Sequence, residues 1–191
     1  APEALGALRM VAVNQGELVE LDPEFRLMRG AANVMLGREA EAQADLNSSA
    51  LMPDPSAALW RGYAAAQKHD WTEARRELDV GAGALEQHPP AWRARFQLAL
   101  ANAAIELNDL PAAEAAASAA LGQAPSQSLR LQARLLQARV AAAHGQGLEA
   151  ATQDQVAGRT LEQTQKQGPQ VEAGASHDDG QAPPRRHVAH R

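Results

Sequence analysis

A chain of 191 residues with a formal charge of −5 is long enough for one domain or a short repeat array, and it has no strong electrostatic pull toward nucleic acid or anionic membrane. The absence of cysteine excludes disulfides, thiolate nucleophiles and cysteine-bound zinc, and no apolar run reaches the roughly 18 residues a membrane span needs. Aromatic residues make up 3%, alanine and leucine dominate the apolar set, and strand-type alternation never persists, so the composition is all-α.

The chain opens Ala1-Pro2-Glu3, without methionine and already in helical register, and reads as a fragment or a processed product. No signal peptide is legible, and a cysteine-free chain suits cytoplasm and periplasm equally. Lysine is confined to Lys68 and Lys166 against abundant arginine, alanine, glycine and proline, a composition typical of GC-rich bacterial genes. From Pro2 to about Val13, Leu5, Leu8, Val11 and Ala12 fall at helical spacing, and Asn14-Gln15-Gly16 is the stop. Residues 1–21 are thus a leading helix, the end of a preceding repeat.

The first hairpin opens at Asp22, an N-cap followed by Pro23 at the first helical position. Gly37 ends its first helix, Ala40 to Leu51 returns, and Pro53-Asp54-Pro55 stops the chain. The second runs from Ser56 as N-cap, turns at His69-Asp70, returns through Ala74, Leu78, Ala82 and Leu85, and breaks at His88-Pro89-Pro90. The third begins at Ala91 and carries two apolar stripes, Trp92-Phe96-Leu100-Ala103-Leu107 and Ala94-Leu98-Ala101-Ile105. A helix apolar on two faces is one sandwiched between neighbours. It turns at Asn108-Asp109 and returns from Ala112 to Leu121.

The spacing predicts a fourth hairpin from Ser128 to Ala143, turning at Gly145-Gln146-Gly147 and returning from Leu148 to about Gln167. Its glutamine-rich return leaves only a thin apolar stripe, as a terminal capping helix would. Residues 168–191 turn to Gly, Pro, His, Asp and Arg and are read as a disordered tail.

Four segments repeat one pattern of a short turn, a helix start and a small residue, at Leu36–Ala42, His69–Ala74, Asn108–Ala113 and His144–Ala150. Self-similarity at a spacing of about 30–50 residues marks stacked helical repeats. These residues resemble the tetratricopeptide repeat (TPR) family. The third hairpin matches best, with Asn108-Asp109-Leu110, small residues at Ala113 and Ala120, then Leu121 and Pro125. The second supplies Trp60, Gly62, Tyr63, Asp70-Trp71 and Ala74; the first supplies Gly30, Leu36-Gly37-Arg38 and Ala42. The key alanines Ala42, Ala74, Ala113 and Ala150 are unevenly spaced, and Ser49 stands where the first hairpin needs a second small residue, so the array over residues 22–167 is TPR-like rather than strict. The resemblance implies an all-α right-handed solenoid of about four helix-turn-helix hairpins.

Catalytic chemistry finds little footing. Trp60, Trp71 and Trp92 coincide with packing positions of the hairpins. His69-Asp70 falls at a turn and has no accompanying nucleophile motif. Glu73, Glu77, Glu106 and Glu114 read as solvated helix positions, the first two beside Arg75 and Arg76 in a charged outer face, and no glycine-rich phosphate loop is present. In the tail, His177, His187 and His190 lack a scaffold for a metal, and Arg185-Arg186-His187 reads as a solvated run rather than a nucleic-acid arm. No enzyme, cofactor, metal or nucleic-acid partner is expected, nor direct membrane insertion.

In the family, first helices line a concave groove that receives a peptide. The resemblance places Leu27, Ala31, Val34 and Met35 there, then Leu59, Tyr63, Ala66 and Gln67. Arg95, Leu98, Asn102, Ile105 and Glu106 follow, then Gln132, Leu135 and Arg139. Members that clamp a terminal carboxylate use a lysine and asparagines; here leucine replaces the lysine and only Asn102 remains. The expected function is a non-catalytic interaction scaffold binding a peptide or helix through Leu59, Tyr63, Arg95, Asn102, Glu106 and Arg139. The alternatives are a structural segment of a longer multi-repeat protein, its groove covered by flanking repeats or a second copy, and a regulatory module fused to an enzyme.

Overall fold

The computed structural model describes residues 2–166. The chain divides into two compact units, Ala1–Leu148 and Glu149–Arg191, and the second is represented only by the C-terminal part of the last helix. Among the described residues the structure is entirely helical. Helices α1 (Pro2–Gln15) and α2 (Glu17–Glu20) lead into α3 (Pro23–Met35) and α4 (Glu39–Leu46). Next come α5 (Pro55–Gln67) and α6 (Trp71–Gly81), a 3₁₀ stretch Ala82–Gln87, then α7 (Pro90–Glu106), α8 (Leu110–Gln123) and α9 (Gln127–Lys166).

Local chemistry sets these boundaries. The carboxylates of Asp22, Asp54, Asp70 and Asp109 accept from the backbone N–H groups of Phe25, Ala57, Glu73 and Ala112, capping α3, α5, α6 and α8. Three turns share one geometry. Gly37, His69 and Asn108 take positive φ values of 67°, 62° and 58°. The next N–H reaches back five residues each time, Arg38 to Asn33, Asp70 to Ala65 and Asp109 to Ala104. This is the Schellman ending, which satisfies carbonyls a helix otherwise leaves open.

Consecutive helices pair as α3/α4, α5/α6 and α7/α8, and α3–α5, α5–α7 and α6–α7 contacts join neighbouring pairs. Missing side chains allow the close approach. A Cβ on Gly62 would lie 2.7 Å from Leu78 Cγ and 2.9 Å from the Leu78 backbone nitrogen; one on Gly30 would lie 2.7 Å from Leu46 Cγ. In the third pair the seam is alanine, with Ala94, Ala101, Ala117 and Ala120 fully buried in one cluster with Leu129 and Leu136 of α9.

The first two pairs are copies offset by 32 positions (22 to 54, 30 to 62, 46 to 78). The copied set includes an arginine–carboxylate ion pair. Arg29 donates to both carboxylate oxygens of Asp45 at 2.9 and 2.7 Å, and Arg61 donates to Glu77 at 2.7 Å. The third pair departs because α7 has 17 residues where α3 and α5 have 13, an added helical turn that accounts for part of the uneven alanine spacing.

Several expectations are corrected. Asp54, not Ser56, caps α5, because Pro55 is preorganised for the first helical position. Helix α4 ends at Leu46 rather than Leu51, where Asn47, Ser48 and Ser49, poor helix formers, give way to turns; Leu51 is nevertheless buried, anchoring the loop. No turn forms at Gly145-Gln146-Gly147, which lie within α9. A glycine inside a helix costs only about 1 kcal/mol against alanine, and Ala141–Ala143 favour continuation. Closed hairpins therefore number three among the described residues, with α9 continuing as one helix. Glu77 is not solvated: its side chain is 4% exposed beneath Arg61 and Arg76. The tail, with His177, His187, His190 and Arg185-Arg186, lies outside the described residues.

Candidate interaction groove

Helical spacing aligns one face from each of three helices on a common cleft of about 490 Å³. Tyr63, Ala66 and Gln67 come from α5; Arg95, Leu98, Ala99 and Asn102 from α7; Leu129 and Gln132 from α9, with Ser126 and Ser128 at its start. Within each helix these are neighbours at i, i+3 or i+4, the condition for sharing a face. The α5–α6 turn adds His69 and the first residue of α6 adds Trp71, their rings 5.0 Å apart.

The floor beneath Tyr63 is aromatic. Phe96, 1% exposed, meets the rings of Trp60, Tyr63, His88 and Trp92 with centroids 5.2 to 5.9 Å apart. His88 has a buried Nε2 with no hydrogen-bond partner, and burial pushes its imidazole below the ordinary histidine pKa, because a charged ring would lose its water. Tyr63 is thus half wall and half core.

Polar groups on α7 and α9 are linked. Asn102 donates to the Leu98 carbonyl at 3.0 Å and accepts from Arg139 Nη1 at 3.0 Å. Arg139 Nη2 donates to Glu106 at 2.8 Å. Both ends of the Asn102 amide are therefore engaged within the chain. Arg95 is held differently, with its guanidinium carbon 4.8 Å from the centroid of the Trp92 ring and Nη1 donating to the Ala91 carbonyl at 3.3 Å.

Of the six residues expected to bind, Tyr63, Arg95 and Asn102 line the cleft, together with Ala66, Gln67, Leu98 and Gln132 of the wider expected groove. Glu106 and Arg139 lie outside the wall, joined to Asn102 through Arg139. Leu59 does not belong to it. The side chain is 1% exposed and fills the notch at Gly81, where a Cβ would stand 2.6 Å from Leu59 Cγ. The α3 residues Ala31 and Val34 are core as well, while Met35 is exposed. His69, Trp71, Ala99, Ser126, Ser128 and Leu129 lie outside the expected set. Leu129 was detectable in principle, lying three residues before Gln132 on the same helical face. His69-Asp70 serves the turn, with Asp70 capping α6.

A second cleft of about 340 Å³ lies between the first two helix pairs, and the Lys68–Glu39 ion pair joins two of its lining residues. Among the described residues no helix is long and apolar enough to cross a membrane, and no group of three or more histidines or carboxylates is placed to hold a metal ion. No protein-family model, curated protein or solved structure matches the chain.

Proposed function

We propose that the chain is a non-catalytic protein-interaction scaffold, a TPR-like right-handed α-solenoid whose groove receives a peptide or helical segment of a partner. The observation that carries this reading is the cleft shared by α5, α7 and α9, built from the first helices of two hairpins and the helix that follows them. The repeated Schellman turns and glycine or alanine seams support the repeat architecture. Apolar side chains beside polar Gln67, Asn102 and Gln132 suit a chain segment with both side-chain and main-chain groups to satisfy.

A second reading, a structural segment of a longer multi-repeat protein, is favoured by exposed apolar residues near both ends of the first unit. Met10, Val13 and Leu18 stand open at one end, Leu131 and Leu135 at the other, as they would if flanking repeats covered them.

Panning a displayed peptide library separates the readings. The interaction scaffold predicts enriched peptides that bind the wild type and bind Gln132→Trp at least tenfold more weakly, with unchanged thermal melting, because Gln132 is an exposed wall residue. Equal binding to both proteins, or no enrichment over an unrelated helical protein, would refute it.

A further inference from the structure

We infer that the segment received by this groove is acidic and seats a side-chain carboxylate on Arg95; this rests on the groove being a peptide site. The inference starts from charge pairing. Arg29, Arg61, Arg75, Arg76, Arg93 and Arg139 each reach an aspartate or glutamate. Arg95, like Arg9, Arg26, Arg38, Arg130 and Arg134, has no such ion pair among the described residues, and of these six it alone lines the cleft. Of its five N–H donors, one meets the Ala91 carbonyl.

The surroundings favour the same sign. No aspartate or glutamate lines the cleft, although the chain carries a formal charge of −5. The first turn of α9 contributes Ser128 and Leu129 to the wall, with Ser126 just before it, and the positive end of that helix adds to Arg95 without creating a site by itself. Stacking on Trp92 holds the guanidinium in place before any ligand arrives. Its planar fork then matches a carboxylate with two parallel hydrogen bonds.

Position argues for an internal carboxylate rather than a chain end. Arg95 lies on α7, between the faces contributed by α5 and α9. A peptide whose last residue stopped at Arg95 would leave part of the cleft unfilled, whereas an acidic residue within an extended segment lets the chain continue to both sides. Apolar neighbours of that residue would meet Ala66, Leu98 and Leu129.

The test uses short peptides alternating leucine with glutamate, glutamine or lysine, acetylated and amidated so that side chains alone carry charge. Fluorescence anisotropy reads binding to the full chain, to Arg95→Glu and to Gln132→Trp. The expected result is binding of the glutamate peptide about tenfold or more tighter than the glutamine peptide, weakening with added salt. In Arg95→Glu the preference passes to the lysine peptide. If Arg95→Glu loses its helical circular dichroism, Arg95→Gln serves instead and abolishes the glutamate preference. Equal binding of glutamate and glutamine peptides, both lost in Gln132→Trp, overturns the acidic assignment while leaving the groove as a peptide site. Glutamate binding that survives both substitutions, a lysine preference in the wild type, or no binding by any peptide also overturns it.

Discussion

Replacing Arg61 by alanine is expected to lower the unfolding free energy by about 3–5 kcal/mol, read as a shift in denaturant midpoint at unchanged slope. Arg61 joins two helix pairs. It donates to Glu77 of α6 and to the carbonyls of Leu46, Leu51 and Met52, in and after α4, at 3.0, 3.1 and 3.3 Å. Its side chain is 9% exposed and that of Glu77 is 4% exposed, so removing the cation takes a donor from a buried carboxylate and from the Leu46 carbonyl, while the Leu51 carbonyl keeps the Asp54 N–H. Arg76 retains a 2.8 Å contact with Glu77, which places the loss toward the lower end of the range. Arg29→Ala should cost less, because Arg29 is 26% exposed and water can partly replace it. The combined Arg61→Met and Glu77→Leu change removes the buried charge but restores stability only in part, since the Leu46 carbonyl loses its Arg61 donor. Equal losses for Arg29→Ala and Arg61→Ala would contradict this account.

Phe96→Ala is expected to cost a similar amount, about 3–5 kcal/mol, and to lower Tm by on the order of 10 °C for a unit of this size. Phe96 joins the α5 rings Trp60 and Tyr63 to Trp92 on α7 and to His88 in the preceding linker. Truncation removes apolar burial and leaves a cavity that the rigid rings cannot collapse to fill. Trp71→Ala is the control. That ring is half-buried and stacks on exposed His69, so a loss of no more than about 1–2 kcal/mol follows from its smaller burial. Reversal of the order, with Trp71 costing more, would place the core at the turn instead. Tyr63 shares these contacts, so Tyr63→Ala confounds folding with binding and Gln132 is the cleaner probe.

Turn and cap chemistry made much of the helix order legible from residues alone. Asp22-Pro23, Gly37, His69-Asp70, Asn108-Asp109 and Pro89-Pro90 act through their own backbone and near neighbours, so their effect is local. Burial is not local. A helical face predicts which side chains point together but not what meets them, so Glu77 read as solvated and Leu59 as open. Both are explained by partners well away in sequence: Arg61, 16 residues before Glu77, and Gly81, opposite Leu59. Recurrence of Arg29 and Asp45 as Arg61 and Glu77, at one common offset, was the available signal for the ion pair. The groove was partly legible for the same reason. Tyr63, Arg95 and Asn102 follow from the faces of first helices, whereas Trp71 enters from the start of a second helix, α6.

Backbone amide shifts of the isotopically labelled chain, titrated with a peptide enriched by panning, test the central claim most directly. The interaction scaffold predicts perturbations concentrated on Gln67, Arg95, Asn102, Ser128 and Gln132, across α5, α7 and α9. Perturbations confined to Met10, Val13 and Leu18, or to Leu131 and Leu135, would show that partners use the ends of the array, and would contradict the groove as the binding site.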